Sequence, residues 1–236
     1  MTLNFSVEEA VTQRYSVRTY DKKPVSREIQ QKLAAYADSL NNPLGPKMKV
    51  QFIRKETAAN GEKLGTYGVI RGAELFMAVT IANEEYAQEA LGYDFEQLVL
   101  YAASLGLGTC WLGETFNRSA FASAIEIKEG EIFPILSPVG YPAQKKSVTE
   151  QIMRRYVKAD GRLPWKELFF KDNFTEPLTE EAAGDYRFPL EMLRLAPSAV
   201  NKQPWRAVIS ENAVHFFEKH SISVEPGSVD MQRIDV

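Results

Sequence analysis

Arg14 and Arg18 flank Ser16 in the run Arg14-Tyr15-Ser16-Val17-Arg18-Thr19-Tyr20. In an extended or loop segment, two arginines at this spacing can address two separated points of one anionic ligand. The guanidinium fork suits phosphate because it donates bidentately. The same spacing also suits a pair of surface arginines. A second run, Leu105-Gly106-Leu107-Gly108-Thr109-Cys110-Trp111-Leu112-Gly113, carries three glycines that let backbone approach a flat or bulky group, with Trp111 available to line a planar pocket. It reads equally as a helix C-cap leading into a core strand. A third, Leu195-Ala196-Pro197-Ser198-Ala199-Val200-Asn201-Lys202-Gln203-Pro204-Trp205-Arg206, offers a hydroxyl and two amides to the edge of a polar heterocycle, or simply ends a helix at a Pro loop. In Gly161-Arg162-Leu163-Pro164-Trp165, Arg162 adds a further cation for a phosphate.

Other chemistries have weaker footing. Two histidines and one cysteine are too few for a zinc site. Cys110 reads more readily as a small buried apolar residue than as a nucleophile, and neither His215 nor His220 is near it in sequence. Redox chemistry in this chain therefore needs a bound organic cofactor.

The elements that must position these residues come from a chain of 236 residues, 44% apolar and 25% charged, enough for an ordinary core. The net charge of −3 gives no electrostatic ground for a nucleic-acid partner. With one cysteine no intrachain disulfide forms, which suits a reducing compartment. Residues 1–14 lack a signal-type apolar region, and no apolar run approaches the ~18 residues of a membrane span. A soluble cytoplasmic protein is expected.

Ser6-Val7-Glu8-Glu9 predicts a capped helix to about Arg14, and Ser26 caps a second with Ile29, Leu33, Tyr36, Ala37 and Leu40 on one stripe. Strands are expected at Lys49–Lys55, Leu75–Ile81 and Ile132–Val139. A helix is expected over Tyr93–Leu105, terminated by Gly106. Residues 146–185 form a charged excursion with short helical pieces such as Trp165–Phe170, in which Trp165, Leu168, Phe169, Phe170 and Phe174 need burial. A helix at Pro189–Leu195 and a hairpin of Ala207–Ile209 with Val214–Phe217 around Glu211-Asn212 follow. Asp230–Val236 reads as the opening of a helix without a closing cap, so the sequence is expected to be shorter than the natural protein or to end inside an unfinished repeat. Sequential β-α-β packing is not cleanly repeated, which favours α+β.

These motifs together resemble the FMN-dependent nitroreductase family. Arg14-Tyr15-Ser16-Val17-Arg18 is similar to its N-terminal flavin motif, and Leu105–Gly113 to its Gly-Leu-Gly-Thr-Cys-Trp segment. Ile135–Pro142 is similar to the strand and Gly-Tyr-Pro that follow. Pro197–Trp205 resembles its Pro-Ser-x-x-Asn-x-Gln-Pro-Trp loop. The order departs from the family's pattern. In ordinary members that loop comes soon after the arginine motif and reaches the flavin of the other subunit of a homodimer; here Ala37–Pro46 holds no such loop.

The resemblance thus implies a nitroreductase-like fold in one domain, residues 1–236, organised as a single-chain pseudo-dimer. Its pseudo-halves are approximately 1–145 and 186–236, joined by the excursion 146–185, and a monomer is favoured. It implies FMN, with NAD(P)H as electron donor and a small nitroaromatic, quinone or flavin as acceptor. FMN is preferred to FAD because no Gly-x-Gly-x-x-Gly fingerprint opens a helix. Arg14 and Arg162 would hold the phosphate. Arg18 would lie near the pyrimidine edge, stabilising the charge that develops on reduction, with no other side chain acting in the chemistry. Ser16, Ser198 and Asn201 would hydrogen-bond the ribityl chain or ring edge, with Tyr15, Pro197 and Ala199 in the same contacting segments. Backbone at Pro138, Val139 and Gly140, or at Gly108-Thr109, would approach the ring. Other outcomes on the same scaffold are a dehalogenase, a flavin-destroying oxygenase, a flavin store or redox sensor, and a domain that has lost its flavin.

Overall fold

The computed structural model describes residues 4–55, 64–211, 213–221 and 229–236. Asn212, at the expected hairpin turn, lies outside them. The chain divides into two compact units, Met1–Met153 and Arg154–Val236.

In the first unit, helix α1 (Val7–Gln13) starts where Ser6 Oγ accepts from the Glu9 amide, and α2 (Arg27–Ser39) where Ser26 Oγ accepts from the Ile29 amide. Each cap satisfies one of the amides that a helix start leaves without a partner. Strand β1 (Lys49–Arg54) runs antiparallel to β2 (Leu75–Ala82). Strand β4 (Glu131–Gly140) pairs antiparallel with both β2 and the short β3 (Gly108–Thr109), so the sheet order is β1-β2-β4-β3. Phe76 and Ala78 of β2 join a cluster with Val17, Tyr20, Leu112, Phe121 and Leu136. By strand alternation Met77, Val79 and Ile81 face the other way, and all three are buried. A central strand covered on both faces reads as a continuous apolar run.

Helix α3 (Ala87–Ser104) packs against β2 and is 18 residues long, beginning six residues before the expected start. Tyr86 precedes it in the left-handed region with no side-chain cap, so its start carries no sequence signal. Its end does. Gly106 takes φ +74°, and the Gly106 and Leu107 amides donate to Ala103 O and Ala102 O at 2.9 and 3.0 Å, a Schellman closure that favours glycine. Helix α4 (Arg118–Ala122) is capped by Asn117. Helix α5 (Val148–Tyr156) lies in the charged excursion, where short helical pieces were expected but this one was not singled out. Its pattern is inverted: Val148, Ile152 and Tyr156 are exposed while Glu150 is buried, so hydrophobic periodicity points away from it.

In the second unit, the expected helical piece at Trp165–Phe170 is a short helix α6 (Trp165–Leu168) that turns directly into strand β5 (Phe169–Lys171). β5 pairs parallel with β6 (Trp205–Ser210), which pairs antiparallel with β7 (Ala213–Glu218). Helix α7 (Arg187–Arg194) holds Pro189 in its first turn, where a missing amide costs nothing. Helix α8 (Met231–Asp235) is capped by Asp230. Leu168, Phe169, Leu178, Leu190, Trp205 and Ala207 form the core. Phe174 is not buried as expected; it is exposed, with edge contacts to Phe170 and Phe217.

Glu191 ties α7 to α6. Its carboxylate accepts from Arg194 Nε and Nη2 at 2.7 and 2.6 Å and from Trp165 Nε1 at 2.9 Å. Bonding to Arg194 is the main force holding this carboxyl below its usual range. A depressed folded pKa contributes stability above the unfolded value, lost as pH falls through the folded one. Glu191→Gln is therefore expected to cost up to about 1 kcal/mol at pH 7, small because the pair is partly exposed to solvent. The deficit should close in acid, which thermal unfolding across pH would show.

Candidate functional site

In the first unit the arginine motif lies as an extended ribbon stitched to the sheet and its loops. Ser16 bridges Thr109 in parallel, and the Val17 amide donates to Thr109 O at 2.8 Å. Arg71 accepts from the Tyr20 amide and donates to Arg18 O, at 2.9 and 2.8 Å. Farther on, the Ala143 amide donates to Thr19 O at 3.0 Å. Val17 and Tyr20 are buried beneath the ribbon. The close approach requires glycine at 108, because a Cβ there would meet Val17 Cγ2 at 2.5 Å. Thr109 pairs with both Ser16 and Val139, and Gly108 with Gly140. The fold thus brings Arg14, Tyr15, Ser16 and Arg18 to the end of β4 that carries Pro138, Val139 and Gly140, all three buried.

The cations of the ribbon are set individually. Arg14 Nε lies 3.5 Å from Glu96 Oε1, with the arginine side chain only 7% exposed. Glu96 also accepts from Trp111 Nε1 at 3.0 Å. Burial pushes the Glu96 carboxyl up, opposed first by Arg14 and then by Trp111. Arg18 Nη1 reaches Ser16 O at 3.4 Å, while its buried Nε has no hydrogen-bond partner. Lys146 Nζ sits 4.8 Å from the Tyr15 ring centre. Arg71 Nη2 donates to Thr149 Oγ1 at 3.1 Å. Cys110 is buried, and desolvation, opposed by Arg18, raises its thiol, which agrees with its reading as a small core residue rather than a nucleophile.

The other candidates lie in the second unit and share a network of their own. Asn201 Nδ2 donates to the carbonyls of Lys158 and Gly161 at 2.8 and 3.1 Å. Arg162 donates to Ala159 O and Leu195 O, both at 3.1 Å, and to Gly161 O at 2.8 Å. Ser198 Oγ accepts from the Gln203 amide, and the Ala199 amide donates to Asp235 Oδ2, each at 2.8 Å. Pro197 leads from α7 into this loop, where Val200, Asn201 and Gln203 take φ of 44°, 59° and 50°. Such values are costly for a β-branched residue and are held by the surrounding bonds. Arg162 and the Pro197–Asn201 loop are thereby joined.

Residues 6–236 match the model of the family described as "Putative TM nitroreductase". The chain belongs to this nitroreductase family. A crystal structure described as a "putative nitroreductase" from Thermotoga maritima superimposes with TM-score 0.56 at 18% identity, covering 93% of this chain and 78% of that one; it shares the nitroreductase-like α+β fold. Two further structures are similar over part of the chain. One from Desulfovibrio desulfuricans, described as a "putative nitroreductase in complex with fmn", has 24% identity and TM-score 0.47, covering 63% of this chain and 96% of that one. One from Bacteroides fragilis, described as a nitroreductase "with Bound FMN", has 18% identity and TM-score 0.46, covering 61% and 95%. No curated protein matches the chain. Among the described residues no helix is long and apolar enough to cross a membrane.

This nitroreductase-family chain has a donor set that fits an anionic group. Arg14, Arg18, Arg71 and Lys146 lie on or beside the ribbon, opposed by Glu96 and Glu150, and Arg18 keeps a buried donor unengaged. Sequence reasoning missed the two carboxylates. Glu96 stands next to Phe95 in the apolar stripe of α3, which was a usable signal; Glu150 lies in the inverted pattern of α5, which was not.

Proposed function

We propose that this nitroreductase-family protein binds FMN against the Arg14–Arg18 ribbon and passes electrons from NAD(P)H to a small organic acceptor such as a nitroaromatic, a quinone or another flavin. The observation that carries the reading is the unengaged buried Nε of Arg18, on the family's flavin motif and beside Ser16 and Arg14. FMN, when bound, supplies the hydride chemistry; the protein's residues hold and orient it. Arg14 offers a buried guanidinium to the phosphate while sharing its charge with Glu96. Arg18 offers a cation to the ring edge that gains negative charge on reduction. Ser16 offers a hydroxyl to the same ligand.

The order of the motifs further supports a pseudo-dimer, in which Ser198 and Asn201 of the same chain serve the flavin, with Arg162 assisting at the phosphate. The test is to release and weigh the cofactor, then follow NAD(P)H oxidation with quinone and nitroaromatic acceptors. FMN and acceptor-dependent turnover are expected; FAD or a colourless protein that takes up no FMN sinks the reading. For the pseudo-dimer, FMN should stay bound on dilution to a verified monomer. Recovery of FMN only on mixing Arg14→Ala with Asn201→Ala chains would overturn that part alone.

A further inference from the structure

We propose that Glu150 is a positioning residue that lowers the reduction potential of a flavin held beside Arg18, an inference that rests on the FMN reading above. Helix α5 turns its apolar side outward. Val148, Ile152 and Tyr156 are 70%, 64% and 82% exposed, while Glu150, on the same nine-residue helix, is 1% exposed. Placing a carboxylate rather than valine or isoleucine at the buried position is costly unless the charge is used.

The carboxylate is held firmly but incompletely. Thr19 Oγ1 donates to Oε2 at 2.7 Å and accepts from the Ser147 amide at 3.0 Å, and Ser147 Oγ accepts from the Glu150 amide at 3.2 Å. This joins the start of α5 to the residue following Arg18. The other oxygen, Oε1, is buried with no hydrogen-bond partner, as are Arg18 Nε and the Tyr20 hydroxyl. Among the described residues no ion pair closes between Arg18 and Glu150. Their opposite charges nevertheless bear on the same neighbours. The Tyr20 hydroxyl and the Cys110 thiol are both raised first by burial; Glu150 pushes each further up and Arg18 pulls each down.

An anchor for Thr19 alone needs only an acceptor, which glutamine would supply. What the carboxylate adds is negative charge opposing Arg18, in a buried region where charges are weakly screened. A ligand that gains negative charge beside Arg18 meets a field that Glu150 weakens, so its reduction is harder than Arg18 alone would make it.

Glu150→Gln keeps the shape and the acceptor for Thr19 and removes the charge. Anaerobic titration of the bound flavin against a reference dye should then show an upward shift. The ratio of reduced to oxidised flavin at the parent's midpoint should rise about tenfold, the order expected for removing one weakly screened charge. Glu150→Asp should return the potential toward the parent's. If Glu150→Gln does not fold, Glu150→Met must give the same upward shift. Thermal unfolding of the flavin-free proteins is the control: a change in melting temperature with an unshifted potential means Glu150 is only an anchor and overturns the proposal. A parent protein that binds no flavin overturns the functional reading and this inference with it, whereas flavin bound at an unshifted potential overturns the inference alone.

Discussion

Arg14→Ala is expected both to destabilise the protein by about 2–3 kcal/mol and to lose FMN. The arginine side chain is 7% exposed and pairs with Glu96, whose side chain is 24% exposed. Its removal leaves a largely buried carboxylate with, among the described residues, only Trp111 Nε1 as partner. Breaking a fully buried pair costs more, about 3–5 kcal/mol; the residual exposure of Glu96 reduces it. The Glu96 carboxyl, already raised by burial, should rise further without Arg14. A raised carboxyl means that the folded state binds more protons than the unfolded one. The deficit should therefore grow as pH increases from the ordinary glutamate range through the folded pKa, and shrink in acid. The double variant Arg14→Ala/Glu96→Gln should recover most of the stability, yet bind FMN roughly 10–100-fold more weakly than the parent, the loss expected for one charged hydrogen-bond donor. Denaturant unfolding and fluorescence titration separate the two effects. Parent-like FMN affinity in the double variant would mean that Arg14 only neutralises Glu96.

Trp205→Ala should cost about 3–5 kcal/mol, from lost burial and the cavity left behind. Trp205 is fully buried at the centre of the second unit's core, among Leu168, Phe169, Leu190 and Ala207. Its indole N–H has no hydrogen-bond partner, and a buried donor in that state carries a penalty of about 1–3 kcal/mol. Trp205→Phe removes the penalty along with part of the volume, so the two terms oppose and the net cost should stay below about 1.5 kcal/mol. Urea unfolding measures both. A Phe variant that loses stability in full proportion to the volume removed would show that volume alone governs this position and that the unpaired N–H carries no penalty.

The elements legible in the sequence are those whose signals are local. Ser6 and Ser26 cap the helices they announce, Gly106 closes α3, and the apolar run at Leu75–Ile81 is β2. The hairpin of β6 and β7 follows the alternation seen in residues 205–218. The start of α3 was hidden because Tyr86 supplies no cap, and α5 because its buried face carries a glutamate.

Arg14, Ser16 and Arg18 could be singled out from residue type and spacing, and the combined motifs pointed to the family that residues 6–236 match. What neighbours each arginine was decided only by packing. Glu96 reaches Arg14 because α3 lies against the end of α1, and Glu150 reaches Thr19 across 131 residues because Ser147 and Thr19 share hydroxyl and amide bonds at the start of α5. A side chain's partner at such separation depends on where whole elements come to rest. Hydrophobic period and capping chemistry specify the elements themselves; they carry no information about which buried charge will face which.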